Sequence, residues 1–469
     1  MGALLALAIG SLAAAGVAFA GVSRSTRRDI DSWSERPVVR RVLGNGLTVV
    51  LVPDHKTPLV GMELTYRVGT RTEPDTPLGI AGLIVRLMMR ATAHLAEGDY
   101  DRYLDAAGGV DATWSVGFDW TMLRVTVPSD QIALPLWLWS DQMGFLAQRL
   151  DDRLIAQQLT VLENERIQKR DNVPAGNVPN LLTAQLYPAS HPYHTGLFPS
   201  LAGLRGLGVR QIQAFIAAHY APDHAILTLV GDFDVQRAES LVQTYFGSLA
   251  ASGVKPAPAP ARGQSPDSEI RLAVDARVDF PSVTIGWRTA PLFEPGDAEL
   301  DLIAEWLVGQ RAGWLRGTLI DQLKIASHVG AHQFSHELAS EFYINATATA
   351  GHTAAELVVA IDGVLRAMQN AAPPPFEFHG STAGFLTNRL FSLEQNGKRA
   401  YLHSTCELMG VREGCIASWF DRYKVPEAAQ LSRIAAQELP LGRRVVIEVT
   451  PAQNAPVAGE LRGHQAVPR

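Results

Sequence analysis

The residues with the clearest chemical potential lie in the segment 77–92, PLGIAGLIVRLMMRAT. Apolar residues recur there at helical spacing, and Thr76-Pro77 is a favourable helix start, so we predict a helix with one face in a protein core. Gly82 and Arg86 are four residues apart and project from the same side, next to the apolar face. Glycine brings no functional group and arginine is a permanent cation, so neither residue can exchange a proton or bind a metal.

The elements around this helix resemble a known family. The hairpin signal LGNGLTVVLVP precedes it, a strand ending in VGTR leads into it, and YAPDH…VGDFD follows much later. These runs are similar to those of the pitrilysin/insulinase metallopeptidases, which include the mitochondrial processing peptidase. The family helix carries the inverted motif H-x-x-E-H. Without gaps, its first His falls on Gly82, its Glu on Val85 and its second His on Arg86.

The resemblance therefore points to a site that has lost its chemistry. Two imidazoles one turn apart supply two zinc ligands, and the Glu of the motif activates the bound water. Gly82 offers no ligand, Val85 cannot accept a proton, and Arg86 would repel the metal. We expect no intact catalytic residue, no metal and no cofactor, although zinc is the cofactor of the family.

The third zinc ligand of the family is a Glu on a later helix, which we predict over about 151–170. Glu165 in the run VLENERIQKRDN is the best match to that remnant position, and Glu163 is the competing match. Arg86 and Glu165 could form a bidentate ion pair where the metal would have been. The alternative is that Glu165 is an ordinary solvated carboxylate.

A second functional pair of the family is also replaced. In related enzymes an Arg and a Tyr of the second half help to hold the substrate. The segment AGWLRGTLIDQLKIASHVGAHQF aligns with that region without gaps, and Trp314 and Ser327 stand at those two positions. The substrate-binding residues of this chain therefore remain unknown from the sequence.

The order of the predicted strands and helices permits an α+β fold, and the resemblance implies one. The order of strand and helix patterns in the first half recurs weakly in the second. The resemblance implies two homologous α/β-sandwich domains, each a mainly antiparallel sheet covered by helices. We place an N-terminal peptidase-like domain at 37–249, a Pro/Ala-rich linker at 250–267 and a C-terminal peptidase-like domain at 268–452. We expect a flexible tail at 453–469.

Composition and the N-terminus restrict the function class. The 469 residues carry a net charge of −6, which excludes a strongly basic nucleic-acid-binding protein. The apolar run 1–20 predicts a secretory signal cleaved after Ala20 and hence a periplasmic or exported protein, with an uncleaved inner-membrane anchor as the alternative. Cys406 and Cys415 could pair in an oxidising compartment. His191 and His194 form a His-rich loop whose family counterpart is structural.

We therefore predict a non-catalytic subunit of an exported peptidase. In the family, some inactive chains pair with an active chain and help to enclose unfolded peptides. This predicts a heterodimer with a partner that retains H-x-x-E-H, with peptides as substrates. One alternative is an active zinc endopeptidase with a remodelled site. The other is an envelope peptide-binding or scaffold protein without a peptidase partner.

Overall fold

The computed structural model describes residues 36–73, 78–197, 201–255, 266–309, 313–424 and 427–462. The predicted signal at 1–20 lies outside these ranges, as does most of the predicted linker. Within the described ranges, each helix is too short or too polar to cross a membrane.

The first half is built on a six-stranded sheet with the order β1-β2-β6-β3-β5-β4. The turn between β1 and β2 contains Asn45-Gly46, and Gly46 has a φ of 90°, which the hairpin requires and glycine supplies without strain. All neighbours are antiparallel except β2 and β6. The strands are β1 Val39–Val42, β2 Thr48–Pro53, β3 Leu59–Tyr66, β4 Val110–Val116, β5 Thr121–Pro128 and β6 Ala225–Gly231.

Helices of the first half bury their apolar stripes in one large core against this sheet. Two of these helices begin at aspartate caps. The Asp234 carboxylate accepts the backbone N–H of Arg237 at 2.7 Å, and the Asp151 carboxylate accepts that of Leu154 at 2.7 Å, at the start of the helix that carries Glu165. The helices are α1 Ile80–Met88, α2 Asp99–Ala106, α3 Ala133–Arg149, α4 Asp152–Arg166, α5 Val178–Leu186, α6 Val209–His219 and α7 Val235–Phe246.

The second half repeats the architecture with a second six-stranded sheet, ordered β12-β7-β11-β8-β10-β9, in which only β7 and β11 are parallel. The predicted fold of two sheet-plus-helix domains is confirmed, and both sheets are mixed. The strands are β7 Ile270–Ala276, β8 Ser282–Thr289, β9 Ala326–Phe334, β10 Ser340–Ala348, β11 Val445–Pro451 and β12 Glu460–Leu461. The helices are α8 Asp297–Val308, α9 Ala354–Asn370, α10 Pro375–Ser392, α11 Asn396–Leu408, α12 Cys415–Asp421 and α13 Ala428–Glu438.

The two halves exchange one helix each. Helix α5 of the first half packs on β8 and β11, and helix α11 of the second half packs on β3 and β6. A glycine at the corresponding place in each sheet permits the close approach. A Cβ on Gly61 would collide with the backbone of Asn396, and one on Gly286 would collide with the Leu182 side chain. The halves are therefore interlocked, although the sequence suggests two separate domains.

The expectation of a flexible tail at 453–469 is wrong for its first part. Glu460 and Leu461 pair with β7, and the backbone N–H of Ala175 donates to Val457 O at 2.8 Å. These hydrogen bonds hold the end of the described chain to the second sheet and to the segment just before α5. The pairing is too short to produce a readable strand pattern in the sequence.

Candidate functional site

Helix α1 begins at a buried carboxylate. Glu73 is fully buried and accepts the backbone N–H of Gly79 at 2.7 Å and of Ala81 at 2.9 Å, so it satisfies donors that the first turn leaves free. Burial raises the pKa of Glu73 to about 7, against the lowering effect of these hydrogen bonds. The start predicted at Thr76-Pro77 lies outside the described residues, and the described helix begins at Ile80.

The three positions of the lost motif have different surroundings. Gly82 lines an open cleft, and a Cβ built on it would meet only the Cδ1 of Leu162, at 3.8 Å. Val85 has 0% exposure and belongs to the main core of the first half. Arg86 projects beside Gly82 toward α4, as the four-residue spacing predicts. The cleft therefore has room for a side chain at 82, whereas position 85 is occupied by a core residue.

Arg86 and Glu165 form an ion pair, but through one carboxylate oxygen and not as the predicted bidentate pair. A guanidinium Nη2 of Arg86 contacts a carboxylate oxygen of Glu165, and the two side chains are 12% and 22% exposed. The Arg86 guanidinium also lies 4.9 Å from the centroid of the Trp114 ring, a cation–π contact, and Lys169 binds the other Glu165 oxygen at 2.6 Å. Burial, and then the nearby charge of Arg90, lowers the pKa of Arg86.

Glu163, the competing match, lies elsewhere. Its carboxylate binds Arg205 at 2.6 Å in a pair whose side chains are 36% and 66% exposed. It does not line the cleft, whereas Glu165 does. Of the two candidates, Glu165 is therefore the one that shares a site with positions 82 and 86.

The cleft has a volume of about 420 Å³. One wall is strand β4, which is the last strand of its sheet and, among the described strands, pairs only with β5. Its outer edge consequently offers unpaired backbone N–H and C=O groups. The remaining lining comes from the α1 region, from α4 and its continuation, and from a nearby loop: Thr70, Glu73, Gly79, Gly82, Leu162, Glu165, Arg166, Lys169, Leu197 and Leu201.

The side chains in this cleft do not fit zinc. Three protein ligands are needed for a catalytic zinc, and Glu165 is the one donor present among the three ligand positions. Its oxygens are engaged by Arg86 and Lys169. In the described part of the chain, no group of three His, Cys, Asp or Glu side chains is arranged to hold a metal.

The His-rich loop has a structural arrangement. The His191 ring stacks on Tyr187 with centroids 4.6 Å apart, and its Nδ1 accepts the backbone N–H of Tyr193 at 3.1 Å. Burial lowers the pKa of His191 to about 4. His194 Nδ1 donates to the Tyr187 carbonyl at 2.8 Å. Both rings are thus occupied within their own loop.

Trp314 and Ser327 are not brought into the cleft. The Trp314 indole N–H donates to Glu377 at 3.0 Å, and its ring packs edge-on against Trp306 with centroids 4.6 Å apart. Ser327 is exposed on β9, where its hydroxyl donates to the Thr347 carbonyl at 3.3 Å. The structure assigns each of them contacts within the second half.

Cys406 and Cys415 form a disulfide with a Cα–Cα distance of 5.9 Å. It joins α11, which lies on the first sheet, to α12, which packs in the core of the second half. The bond thereby ties the exchanged helix back to its own half.

Two contributors to the site are not evident from spacing. Trp114 reads in the sequence as one more strand residue, yet its ring covers Arg86. Glu73 precedes the helix by seven residues, and its carboxylate nevertheless accepts the backbone N–H groups of Gly79 and Ala81. An acidic residue shortly before a helix without a Ser, Thr, Asp or Asn cap is a weak signal for this arrangement.

Comparisons with known proteins agree with the family resemblance and with the fold. Residues 48–194 match the family model described as Insulinase (Peptidase family M16), and residues 207–383 match the one described as Peptidase M16 inactive domain. The zinc protease PqqE of Helicobacter pylori is 28% identical over 305 residues, which cover 64% of this chain and 67% of that protein. An uncharacterized zinc protease of Mycobacterium leprae, ML0855, is 24% identical over 223 residues, covering 47% and 48%.

Solved structures show the same fold. A protease from Helicobacter pylori superimposes with a TM-score of 0.82 at 23% identity, over 89% of this chain and 100% of that chain. A peptidase M16 inactive domain from Pseudomonas fluorescens gives 0.79 at 16% identity, over 88% and 98%. The first half of the periplasmic protease PqqL from Escherichia coli gives 0.71 at 15% identity, over 91% and 93%.

Proposed function

Because this chain belongs to the pitrilysin/insulinase family of metallopeptidases, we propose that it is a non-catalytic member that binds peptides and pairs with a zinc-bearing relative. The observation that carries the proposal is the Arg86–Glu165 ion pair, which joins two positions that align with zinc ligands of the family. A permanent cation there disfavours a bound zinc ion, and it uses the remaining ligand as its own counter-ion.

The same cleft lacks the proton-transfer group of the reaction. The position of the general base is Val85, which is buried in the core and carries no titratable atom. Hydrolysis of a peptide bond needs an activated water as well as a polarised carbonyl. These two deficits support a binding role over the alternative of an active endopeptidase with a remodelled site.

The free edge of β4 supports peptide binding. An extended peptide can add a strand to an exposed sheet edge, with main-chain hydrogen bonds that do not depend on its sequence. Trp114 and Val116 of β4 line the cleft together with Leu162, so an added peptide would lay alternate side chains against apolar surface. This mode suits a subunit that receives unfolded chains of varied sequence.

Pairing and export are parts of the same proposal. A chain that binds peptides but cannot cleave them contributes to proteolysis only beside a partner that retains H-x-x-E-H. The predicted signal at 1–20 and the Cys406–Cys415 disulfide are consistent with an exported, oxidising location. A periplasmic location and a heterodimer are accordingly what we propose.

The first test measures metal and activity on one purified sample. The mature chain is dialysed against zinc and then against buffer, its metal content is determined, and hydrolysis of unfolded peptides is assayed alone and with the H-x-x-E-H relative from the same organism. We expect less than stoichiometric zinc, no hydrolysis alone, and faster hydrolysis by the mixture than by the relative alone. Stoichiometric zinc with chelator-sensitive hydrolysis by the single chain would refute the proposal.

The second test rebuilds the ligand set. The double variant Gly82→His/Arg86→His presents two imidazoles one turn apart, opposite Glu165, and Gly82 has the space for the new side chain. We expect it to bind about one zinc per chain, because two His and one Glu are a common catalytic ligand set. The matched control adds Glu165→Gln and should lose the metal. Zinc binding that is indifferent to Glu165 would show that these positions do not share one site.

A further inference from the structure

A second pocket lies between α10, α11 and α12 and has a volume of about 390 Å³, in the range of small-ligand sites. Aromatic side chains form its walls: Phe385 from α10, Tyr401 from α11, and Trp419 and Phe420 from α12. None of the positions considered above for zinc or for substrate belongs to it. The pocket is a separate apolar site with its own lining.

The polar side chains that line this pocket are neutral or cationic. Asn388, Arg389 and Lys398 line it, and no carboxylate is among the described lining residues. Arg389 is partly neutralised by Asp301, at 3.6 Å. Lys398 is exposed and has no ion-pair partner in the described ranges. The rim therefore presents an uncompensated positive charge next to an apolar interior.

We propose that this pocket binds the C-terminal residue of a peptide, with an apolar side chain between the aromatic rings and the free carboxylate at Lys398. An apolar body joined to a single negative charge is complementary to both parts of the pocket. A basic side chain would enter beside two cations and would find no carboxylate among the described lining residues, which is unfavourable. The Asn388 amide can donate a second hydrogen bond to the same carboxylate.

The position of the pocket connects it to the peptide cleft. The Tyr401 ring packs edge-on against Trp120, with centroids 6.5 Å apart, and Arg124 lies over the same ring at 5.0 Å. Trp120 stands in the turn between β4 and β5, and β4 is the edge strand of the cleft. Tyr401, in the wall of the pocket, thus contacts the hairpin whose strand β4 forms a wall of the cleft, which favours a peptide end over an unrelated small acid.

The test uses three fluorescein-labelled tripeptides and fluorescence polarisation. Gly-Gly-Phe with a free carboxylate should bind about tenfold more tightly than its C-terminal amide, because a charge-assisted hydrogen bond is lost in the amide. Gly-Gly-Gly with a free carboxylate should also bind at least about tenfold more weakly, because it lacks the apolar side chain. Equal binding of acid and amide would overturn the proposal.

Substitutions locate the binding. Lys398→Met keeps the length of the side chain and removes the charge, so it should weaken the acid about tenfold and leave the amide unchanged. Lys56→Met, at an exposed lysine of the first half, is the matched control and should change neither. Asn388→Trp, at an exposed helix position, should block the pocket and abolish binding of the acid.

The outcome is separable from that of the proposed function. If the tripeptide binds Lys398→Met as tightly as the wild type but does not bind Gly82→Trp, it is bound in the cleft. That result would refute binding in the second pocket and would support binding in the cleft. If Lys398→Met weakens tripeptide binding and Gly82→Trp leaves it unchanged, the second pocket is the binding site, whatever the zinc tests show.

Discussion

Removing the charge of Glu165 tests whether the ion pair replaces the metal as a structural element. Glu165→Gln keeps the size of the side chain and one oxygen, but it leaves Arg86 with the Trp114 ring as its main favourable contact. The Nε of Arg86 is already buried without a hydrogen-bond partner among the described residues. The substitution should therefore destabilise the fold, because a largely buried cation loses its counter-ion.

The expected loss lies between two known limits. Exposed ion pairs contribute about 0 to 1 kcal/mol, and breaking a fully buried pair costs about 3 to 5 kcal/mol. With side chains that are 12% and 22% exposed, this pair is mostly but not fully buried. Lys169 also shares the Glu165 carboxylate, and the cation–π contact remains. We expect about 1 to 2 kcal/mol for Glu165→Gln, after allowance for solvent screening.

The assay is equilibrium urea unfolding, followed by tryptophan fluorescence and far-UV circular dichroism, whose transitions should coincide. A cycle with Arg86→Met isolates the pair, and we expect a coupling energy of about 1 kcal/mol. Glu163→Gln is the control, because it breaks an exposed pair on the same helix and should cost no more than about 0.5 kcal/mol. Additivity of the Glu165 and Arg86 substitutions to within about 0.3 kcal/mol would refute the reasoning.

Three further predictions concern stability. Burial lowers the pKa of His403 to about 4, so the stability that this neutral ring contributes is present above about pH 6.5 and is lost as the pH falls toward 4. His403→Gln should reduce that loss by up to about 3 kcal/mol, as measured by urea unfolding at pH 7.5 and 4.5. Glu73 gives the opposite pH dependence, because burial raises its pKa to about 7 and its contribution to stability decreases as the pH rises from about 4.5 to 7. Glu73→Gln should remove up to about 3 kcal/mol of that decrease. An unchanged slope of unfolding free energy between pH 5 and 8 would contradict this prediction. The disulfide joins cysteines nine residues apart, so Cys406→Ser/Cys415→Ser should lower the free energy of unfolding by about 2 to 3 kcal/mol. The stability of the double variant should not change when reductant is added. If reductant destabilises the double variant as much as the wild type, the effect does not come from this disulfide.

The sequence predicts the local elements well where a short-range signal defines them. The Asn45-Gly46 turn, the apolar stripe of α1 and the Asp234 cap all depend on residues a few positions apart, and the structure has each of them. The side of α1 that carries positions 82 and 86 follows from helical spacing alone. The loss of the zinc ligands is likewise readable, because it depends on residue types and not on distances.

Only the tertiary structure decides which carboxylate meets Arg86. Glu163 and Glu165 differ by two positions on one helix, and their helical directions alone do not show which faces α1; the packing of α4 on α1 directs Glu165 inward and leaves Glu163 to Arg205. The contact of the buried Glu73 carboxylate with the start of α1 likewise depends on the tertiary structure.

The interlocking of the two halves is also partly determined by the sequence and partly by the tertiary structure. The sequence determines that the chain contains two similar sets of strands and helices, because each set carries its own periodicity. It does not determine that α5 and α11 change places, because an amphipathic helix has the same pattern whichever sheet it covers. Packing settles that choice: Gly61 and Gly286 open space on each sheet for a helix that arrives from the other half.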